Sequence, residues 1–263
     1  MRLSNKVVLV TGSATGIGRA IALRCAAEGA SVLVHGLEPE LAQSLVTQIG
    51  AQHAVAHVED LTAPGCPRRL VDIAVETFGR LDAVVNNAAL VASGDLDSTD
   101  AEAFHHMLAV NTVAPFLLIK EALPHLQEAH GCVLNIGSVN AWCGEPNLLP
   151  YSVSKGALTT LTRNLGDSLM REHGVRVNQI NPGWVLTENE SLRKKAQGFS
   201  DDWQERLPSL TAPAGRLLLP EEIAAAAVYW LSDESGPVSG QVVDLEQYPL
   251  IGRNPPKQEI PRR

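Results

Sequence analysis

One rhythm runs through the 263-residue chain: a short run of aliphatic and β-branched residues, then a stretch of helical length. Val7-Val8-Leu9-Val10 opens it, and the pattern predicts strands over 6–11, 31–36, 53–58, 81–86, 131–138, 175–181 and 241–245. Helices are predicted over 16–29, 39–49, 68–78, across 99–127, and over 150–172 and 221–231. Strands that are apolar at every position, not at alternate ones, must be covered on both faces. The rhythm therefore predicts a doubly wound α/β fold: one parallel sheet of about seven strands with helices on both sides, a single domain over 1–263. Two segments break the pattern. Residues 188–213 are polar and irregular and read as an inserted flap over a substrate, and residues 249–263, rich in proline, read as an extended tail.

Composition narrows the function. Hydrophobic residues make up 45% of the chain, which is globular and not disordered composition. A net charge of −8 argues against a nucleic-acid surface, which needs clustered Lys and Arg. Cys25, Cys66, Cys132 and Cys143 form no CxxC pair and have no histidines at ligand spacing, so neither a metal site nor a disulfide framework is expected. The N-terminal apolar run is too short for a signal peptide, and no apolar run approaches the ~18–20 residues of a membrane span, so a soluble cytoplasmic protein is expected.

In an open sheet of this kind, ligands bind outside the carboxyl ends of the strands. The first strand ends in Thr11-Gly12-Ser13-Ala14-Thr15-Gly16-Ile17-Gly18, a G-x3-G-x-G loop that opens a helix. Glycines let the backbone approach a pyrophosphate, and the helix N-terminus offers amide donors to it. Asp60-Leu61 closes the third strand, either accepting from an adenine amino group or starting a turn. Asn87 and Ala88 follow the fourth strand, where small residues let a cofactor lie against the backbone.

Tyr151-Ser-Val-Ser-Lys155 places a phenol and an ammonium on one helix face, with Ser138 upstream. A phenol titrates near pH ~10, and lowering that by about three units takes roughly 4 kcal/mol. One cation at ~4 Å supplies about as much at an effective dielectric near 20. The spacing therefore predicts a depressed Tyr151 that serves as general acid and base.

These features in this order resemble the short-chain dehydrogenase/reductase family, over roughly residues 3–247. Asn181-Pro182-Gly183-Trp184-Val185-Leu186-Thr187 matches that family's Pro-Gly turn, and Asn111 in Val110-Asn111 matches the Asn of its active site. The resemblance implies a Rossmann-like sheet and hydride transfer between a nicotinamide and a carbinol or carbonyl carbon. It implies Tyr151 as acid/base, Lys155 as the cation that stabilises the phenolate and holds the ribose, Ser138 as the group polarising the substrate oxygen, and Asn111 as anchor of a water leading from Lys155 to solvent. It also implies cofactor contacts from Gly12, Ser13, Thr15, Gly16, Ile17, Gly18, Gly36, Leu37, Asp60, Leu61, Asn87, Ala88, Tyr151, Lys155, Pro182, Gly183, Val185 and Thr187, and a homo-oligomer, tetramer or dimer.

Departures from the family pattern are as informative. An acid at the tip of the second strand selects NAD, and a base nearby selects NADP. Here Gly36 and Leu37 stand at those places, Thr15 replaces a frequent loop cation, and Glu38 would repel a 2′-phosphate, so NAD is expected ahead of NADP. Ala89 replaces a glycine, and Glu246-Gln247-Tyr248 replaces Asp-Gly-Gly. The pocket walls, 139–149, 184–186 and 188–210, carry Asn140, Trp142 and Glu145, which suits a sugar, polyol or other small hydroxylated alcohol or ketone. A 3-oxoacyl (acyl-carrier-protein) reductase and a catalytically silent nucleotide-binding scaffold are the alternatives.

Overall fold

The computed structural model describes residues 1–249, so the expectations for the tail beyond Pro249 lie outside the described residues. Seven strands form one sheet: β1 (Val7–Val10), β2 (Ser31–Gly36), β3 (Ala54–Val58), β4 (Ala83–Asn86), β5 (Cys132–Ile136), β6 (Arg176–Pro182) and β7 (Val242–Leu245). Their order is β3-β2-β1-β4-β5-β6-β7, and every pair is parallel. The chain reverses its direction of travel across the sheet between β1 and β4, which opens a crevice at their carboxyl ends.

The helices are α1 (Gly16–Ala27), α2 (Pro39–Ile49), α3 (Cys66–Phe78), α4 (Ala101–Leu108), α5 (Ala114–Glu128), α6 (Asn140–Cys143), α7 (Leu149–His173), α8 (Glu188–Ala196) and α9 (Pro220–Leu231). They cover both faces, as the unbroken apolar strands require. Val8 and Val10 of β1 join Ile21, Leu45 and Val228 in one core, while Val7 and Leu9 join Leu70, Leu118 and Leu126 in the other. Alternate residues of one strand thus serve opposite layers.

Two local outcomes differ from the sequence reading. The segment 188–213 is not irregular throughout: Thr187 caps α8 by accepting from the Glu190 amide, and a short 3-10 turn lies at Trp203–Arg206. Second, α4 and α5 are joined by a π turn over Ala109–Val113, which carries Asn111. The resulting run Ala101–Glu128 is long and apolar enough to span a membrane by composition alone. Its Leu118, Ile119, Ala122 and Leu126 are core residues under the sheet, which accounts for the apolarity.

Candidate active site

The crevice at the strand ends is a cavity of about 520 Å3. It gathers Ile17, Asn87, Ser138, Tyr151, Lys155, Pro182, Gly183, Val185 and Thr187, residues scattered over more than half of the chain.

Its nucleotide end is built by β1 and its loop. Gly12 has φ +62°, and a Cβ there would sit 2.8 Å from Ala88 Cα, so the loop lies directly on the segment after β4. Asn87 fixes that contact: its Nδ2 donates to the Thr11 and Gly12 carbonyls at 2.9 and 3.1 Å. Thr11 Oγ1 accepts from the Asn87 and Ala88 amides, at 3.0 Å in each case. Ser13 Oγ donates to the Val10 carbonyl at 2.8 Å and is buried, so it braces the loop from within. Thr15, the N-cap of α1, makes no side-chain cap bond, and the first turn carries no acid. The amide donors of Gly16, Ile17 and Gly18 therefore have no acid of their own turn competing for them, which fits a pyrophosphate.

His35, which the strand pattern alone does not mark, is part of the same scaffold. Its Nδ1 accepts from the Gly12 amide at 3.2 Å, and its Nε2 meets the Glu59 carbonyl at 2.9 Å. Burial holds this imidazole below its usual range. A histidine inside an otherwise aliphatic strand run, next to Gly36, was the available signal.

Gly36 is buried at the tip of β2, while Leu37 is 61% exposed beside it. Arg19, the candidate cation of the glycine-loop helix, donates to Gln48 Oε1 at 2.6 Å. Asp60 adopts the turn alternative for one of its oxygens: Oδ1 accepts from Thr62 N and Oγ1 at 2.8 and 2.7 Å, which lowers its carboxyl. Leu61 is buried in the core.

Tyr151 and Lys155 occupy the first turns of α7, with the ammonium 5.7 Å from the phenol ring centroid. The predicted depressed phenol is not found. Burial holds Tyr151 above its usual range, and the Ser138 hydroxyl and Arg193 draw it only part of the way back. The physical reason is burial of the phenol. Lys155 is desolvated too, which brings its own value down to about 8, and it donates to the Ile136 carbonyl at 2.8 Å. At rest, then, the phenol is a proton donor.

Ser138 lies just past β5. Its amide donates to Asn181 Oδ1 at 3.2 Å, and its Oγ accepts from the Asn140 amide at 3.2 Å. Asn181 ends a buried polar ladder across the sheet. Asn86 Nδ2 donates to Asn135 Oδ1 (2.8 Å), Asn135 Nδ2 to Thr162 Oγ1 (2.8 Å), Thr162 to Gln179 Oε1 (2.7 Å), and Gln179 Nε2 to Asn181 Oδ1 (2.7 Å). Asn181 Nδ2 then donates to Asp244 Oδ1 at 2.9 Å, which also accepts from Trp142 Nε1 at 2.8 Å.

Asn111 is not among the cavity-lining residues. Its Oδ1 accepts from Leu90 N at 2.8 Å, and its Nδ2 donates to Leu90 O and Ser154 Oγ at 2.9 and 3.0 Å. Both amide protons are spent on protein groups, so the side chain braces the π turn against α7.

Helix α8 walls the cavity through Glu190, Arg193 and Lys194. Trp184 Nε1 donates to Glu190 Oε1 at 2.8 Å, and the Trp184 ring stacks on Trp203 with centroids 5.4 Å apart. Glu246 Oε2 accepts from Trp184 N at 3.2 Å, and Oε1 from Gln247 N at 2.7 Å. The acid that replaces the family's Asp therefore ties β7 to the Pro-Gly turn. All four cysteines are free thiols.

Comparison with known proteins agrees with this architecture. Residues 12–246 match a family model described as enoyl-(acyl carrier protein) reductase. An uncharacterized oxidoreductase of Thermotoga maritima is 35% identical over 94% of this chain and 98% of its own. The 2-(S)-hydroxypropyl-CoM dehydrogenase 3 of Xanthobacter autotrophicus is 35% identical over 91% of this chain and 94% of its own. The L-fucose dehydrogenase of Mus musculus is 37% identical over 88% of this chain and 84% of its own. The chain belongs to the short-chain dehydrogenase/reductase family, as an NAD(P)-dependent oxidoreductase acting on CH–OH groups.

Proposed function

We propose that this protein interconverts a small hydroxylated secondary alcohol and its ketone with NAD, using Tyr151 as the proton donor and acceptor. The observation that carries the reading is the shared cavity wall of Ser138, Tyr151 and Lys155, set at the carboxyl ends of the strands. Bound there, the nicotinamide supplies or accepts the hydride. Ser138 holds the substrate oxygen, and Tyr151 gives it a proton as the carbonyl carbon gains hydride. In the reverse direction Tyr151 takes that proton, for which it must first lose its own. Lys155 supplies positive charge beside the phenol and holds the ribose, and Asn111, whose side chain braces the π turn against α7, anchors a water leading from Lys155 to solvent. Proton transfer of this kind contributes about 10²–10⁴ in rate.

The glycine loop, Asn87, Ala88, Pro182, Gly183, Val185 and Thr187 form the cofactor bed in this reading, with Gly36, Leu37, Asp60 and Leu61 at its adenosine end. An exposed Leu37 and an Arg19 engaged with Gln48 favour NAD over NADP. Residues 188–213 act as the substrate flap. Val113, Phe116, Leu117 and Val153, all exposed on neighbouring helices, support a homo-oligomer, tetramer or dimer. Three buried free thiols fit a reducing, cytoplasmic setting. An L-fucose dehydrogenase among the relatives, and the Asn140 and Glu145 side chains in the cavity, favour sugars and polyols as substrates.

The test is a panel of sugars, polyols, hydroxy acids, simple secondary alcohols and an acetoacetyl thioester, each with NAD and NADP and read by nicotinamide absorbance. Turnover is expected, with Tyr151→Phe losing at least about 100-fold while the nucleotide Kd stays within about threefold. Tight nucleotide binding without turnover across the panel, or an active Tyr151→Phe, would sink the reading.

A further inference from the structure

The helix α8 carries three consecutive cations, Arg193, Lys194 and Lys195, and the structure treats them differently. Arg193 is paired with Glu190 at 2.7 Å, and Glu190 also accepts from the Trp184 indole. Lys195 is paired with Asp201 at 3.2 Å. Lys194 meets no carboxylate among the described residues. Its Nζ lies 4.9 Å over the Trp184 ring and 4.8 Å over the Phe199 ring, and it lines the active-site cavity.

Two rings hold the ammonium in place without spending its protons. A cation–π contact at a partly exposed site is worth about 0.5–1 kcal/mol and leaves the three N–H donors available. The rings are themselves fixed: Trp184 by Glu190 and by stacking on Trp203, and Phe199 edge-on to Trp203 at 6.4 Å. The result is a positioned, uncompensated positive charge facing the space where substrate must lie.

The carboxylates in the cavity do not cancel it. Glu190 belongs to Arg193, Glu246 is occupied by the Trp184 and Gln247 amides, and Glu145 sits in the loop after α6 with Asn140 Nδ2 at 3.3 Å. Much of the 520 Å3 is lined by the residues of the cofactor bed, so what remains suits a small molecule.

We propose that Lys194, held between Trp184 and Phe199, is an anion subsite, and that the substrate is a small secondary alcohol or ketone bearing a carboxylate. This deepens the oxidoreductase reading and rests on it for the reacting end of the molecule. The subsite explains why the middle cation of the triplet is the one left without an acid.

The test uses a matched pair that differs in charge, 3-hydroxybutyrate and its methyl ester, with wild type, Lys194→Gln and Lys194→Arg. The wild type is expected to prefer the acid, and Lys194→Gln to lower the acid-to-ester ratio of kcat/KM at least tenfold, mainly through KM. Lys194→Arg should restore most of it. A ratio unchanged by Lys194→Gln overturns the proposal, as does a wild type that prefers the ester. A second readout does not need turnover: quenching of tryptophan fluorescence as acetoacetate is added to the protein with NADH. Saturable quenching that Lys194→Gln weakens at least tenfold supports the subsite even if no alcohol is oxidised, an outcome that would sink the catalytic reading alone. Absence of saturable quenching in the wild type overturns the subsite whatever the turnover.

Discussion

His35 Nδ1 accepts the amide proton of Gly12 across 3.2 Å, and this bond ties the nucleotide loop to the second strand. The opposite nitrogen donates to the Glu59 carbonyl, so the ring is held as one neutral tautomer. A protonated imidazole has two donors and no acceptor, and would leave the Gly12 amide without its partner. Burial is the main cause that keeps the ring neutral; His57 adds to it, while Glu59 and Asp60 oppose it.

Acid should therefore loosen the nucleotide loop. The folded-state value of His35 lies below that of the unfolded chain, so the contribution to stability is complete above about pH 6.5 and is lost as pH falls through the folded value. Nucleotide affinity should fall between pH 7.5 and pH 5.5 in the wild type. His35→Leu should already be weak at pH 7.5, by about 1–3 kcal/mol for a stranded amide, and should change little further on acidification. Fluorescence titration with NADH at both pH values checks this; parallel losses in the two proteins would refute it.

Gly18 is where the loop meets Asn87. A Cβ there would lie 2.3 Å from Asn87 Nδ2 and 2.4 Å from the Gly12 carbonyl oxygen. Backbone must move, and with it the two Asn87 bonds that hold the loop. Gly18→Ala is expected to raise the nucleotide Kd at least tenfold. Calorimetry should show a smaller relative change in Tm, because the strands and both cores keep their contacts. An unchanged Kd would show that the loop has room to adapt.

The fold was legible because it is written in short-range chemistry. Seven aliphatic runs, each followed by a helix-length stretch, give a parallel sheet covered on both faces, and the strand boundaries moved by no more than two residues. The glycine loop and the Tyr151/Lys155 pair were legible for the same reason, since loop geometry and helical spacing are local. What was not legible depends on burial and on distant partners. The direction of the Tyr151 shift turned on burial of the phenol itself, which helical spacing does not report. The side-chain partners of Asn111 turned on a π turn that brings it to Leu90, and the partner of His35 emerged only when the fold set Gly12 beside it.

The ladder from Asn86 to Asn181 makes its own prediction. Asn135 is fully buried and serves as acceptor on one side and donor on the other. Asn135→Leu would strand Asn86 Nδ2 and remove a donor from Thr162. One or two unsatisfied buried groups cost about 1–3 kcal/mol each, so a loss on the order of 3 kcal/mol and a Tm fall of roughly 6–12 °C are expected. Thermal melts with and without NADH check it. A melt within about 1 °C of wild type would mean that the groups find other partners.

Leu37 tests the cofactor choice. It is exposed at the tip of β2, beside the buried Gly36; the candidate cation Arg19 is engaged with Gln48, and Glu38 is the next residue along the chain. A 2′-phosphate arriving there meets a methyl-rich side chain and a carboxylate. Leu37→Arg would supply a planar donor suited to a phosphate. It should raise the NADP-to-NAD ratio of kcat/KM at least tenfold, about 1.4 kcal/mol, and Leu37→Arg combined with Glu38→Gln should raise it further by removing repulsion. Leu37→Ala removes the leucine side chain without adding charge and should leave the ratio within about threefold, which separates the added charge from loss of the leucine as the cause. A wild type that already prefers NADP, or a ratio that Leu37→Arg does not move, would place the selector elsewhere on the strand tips.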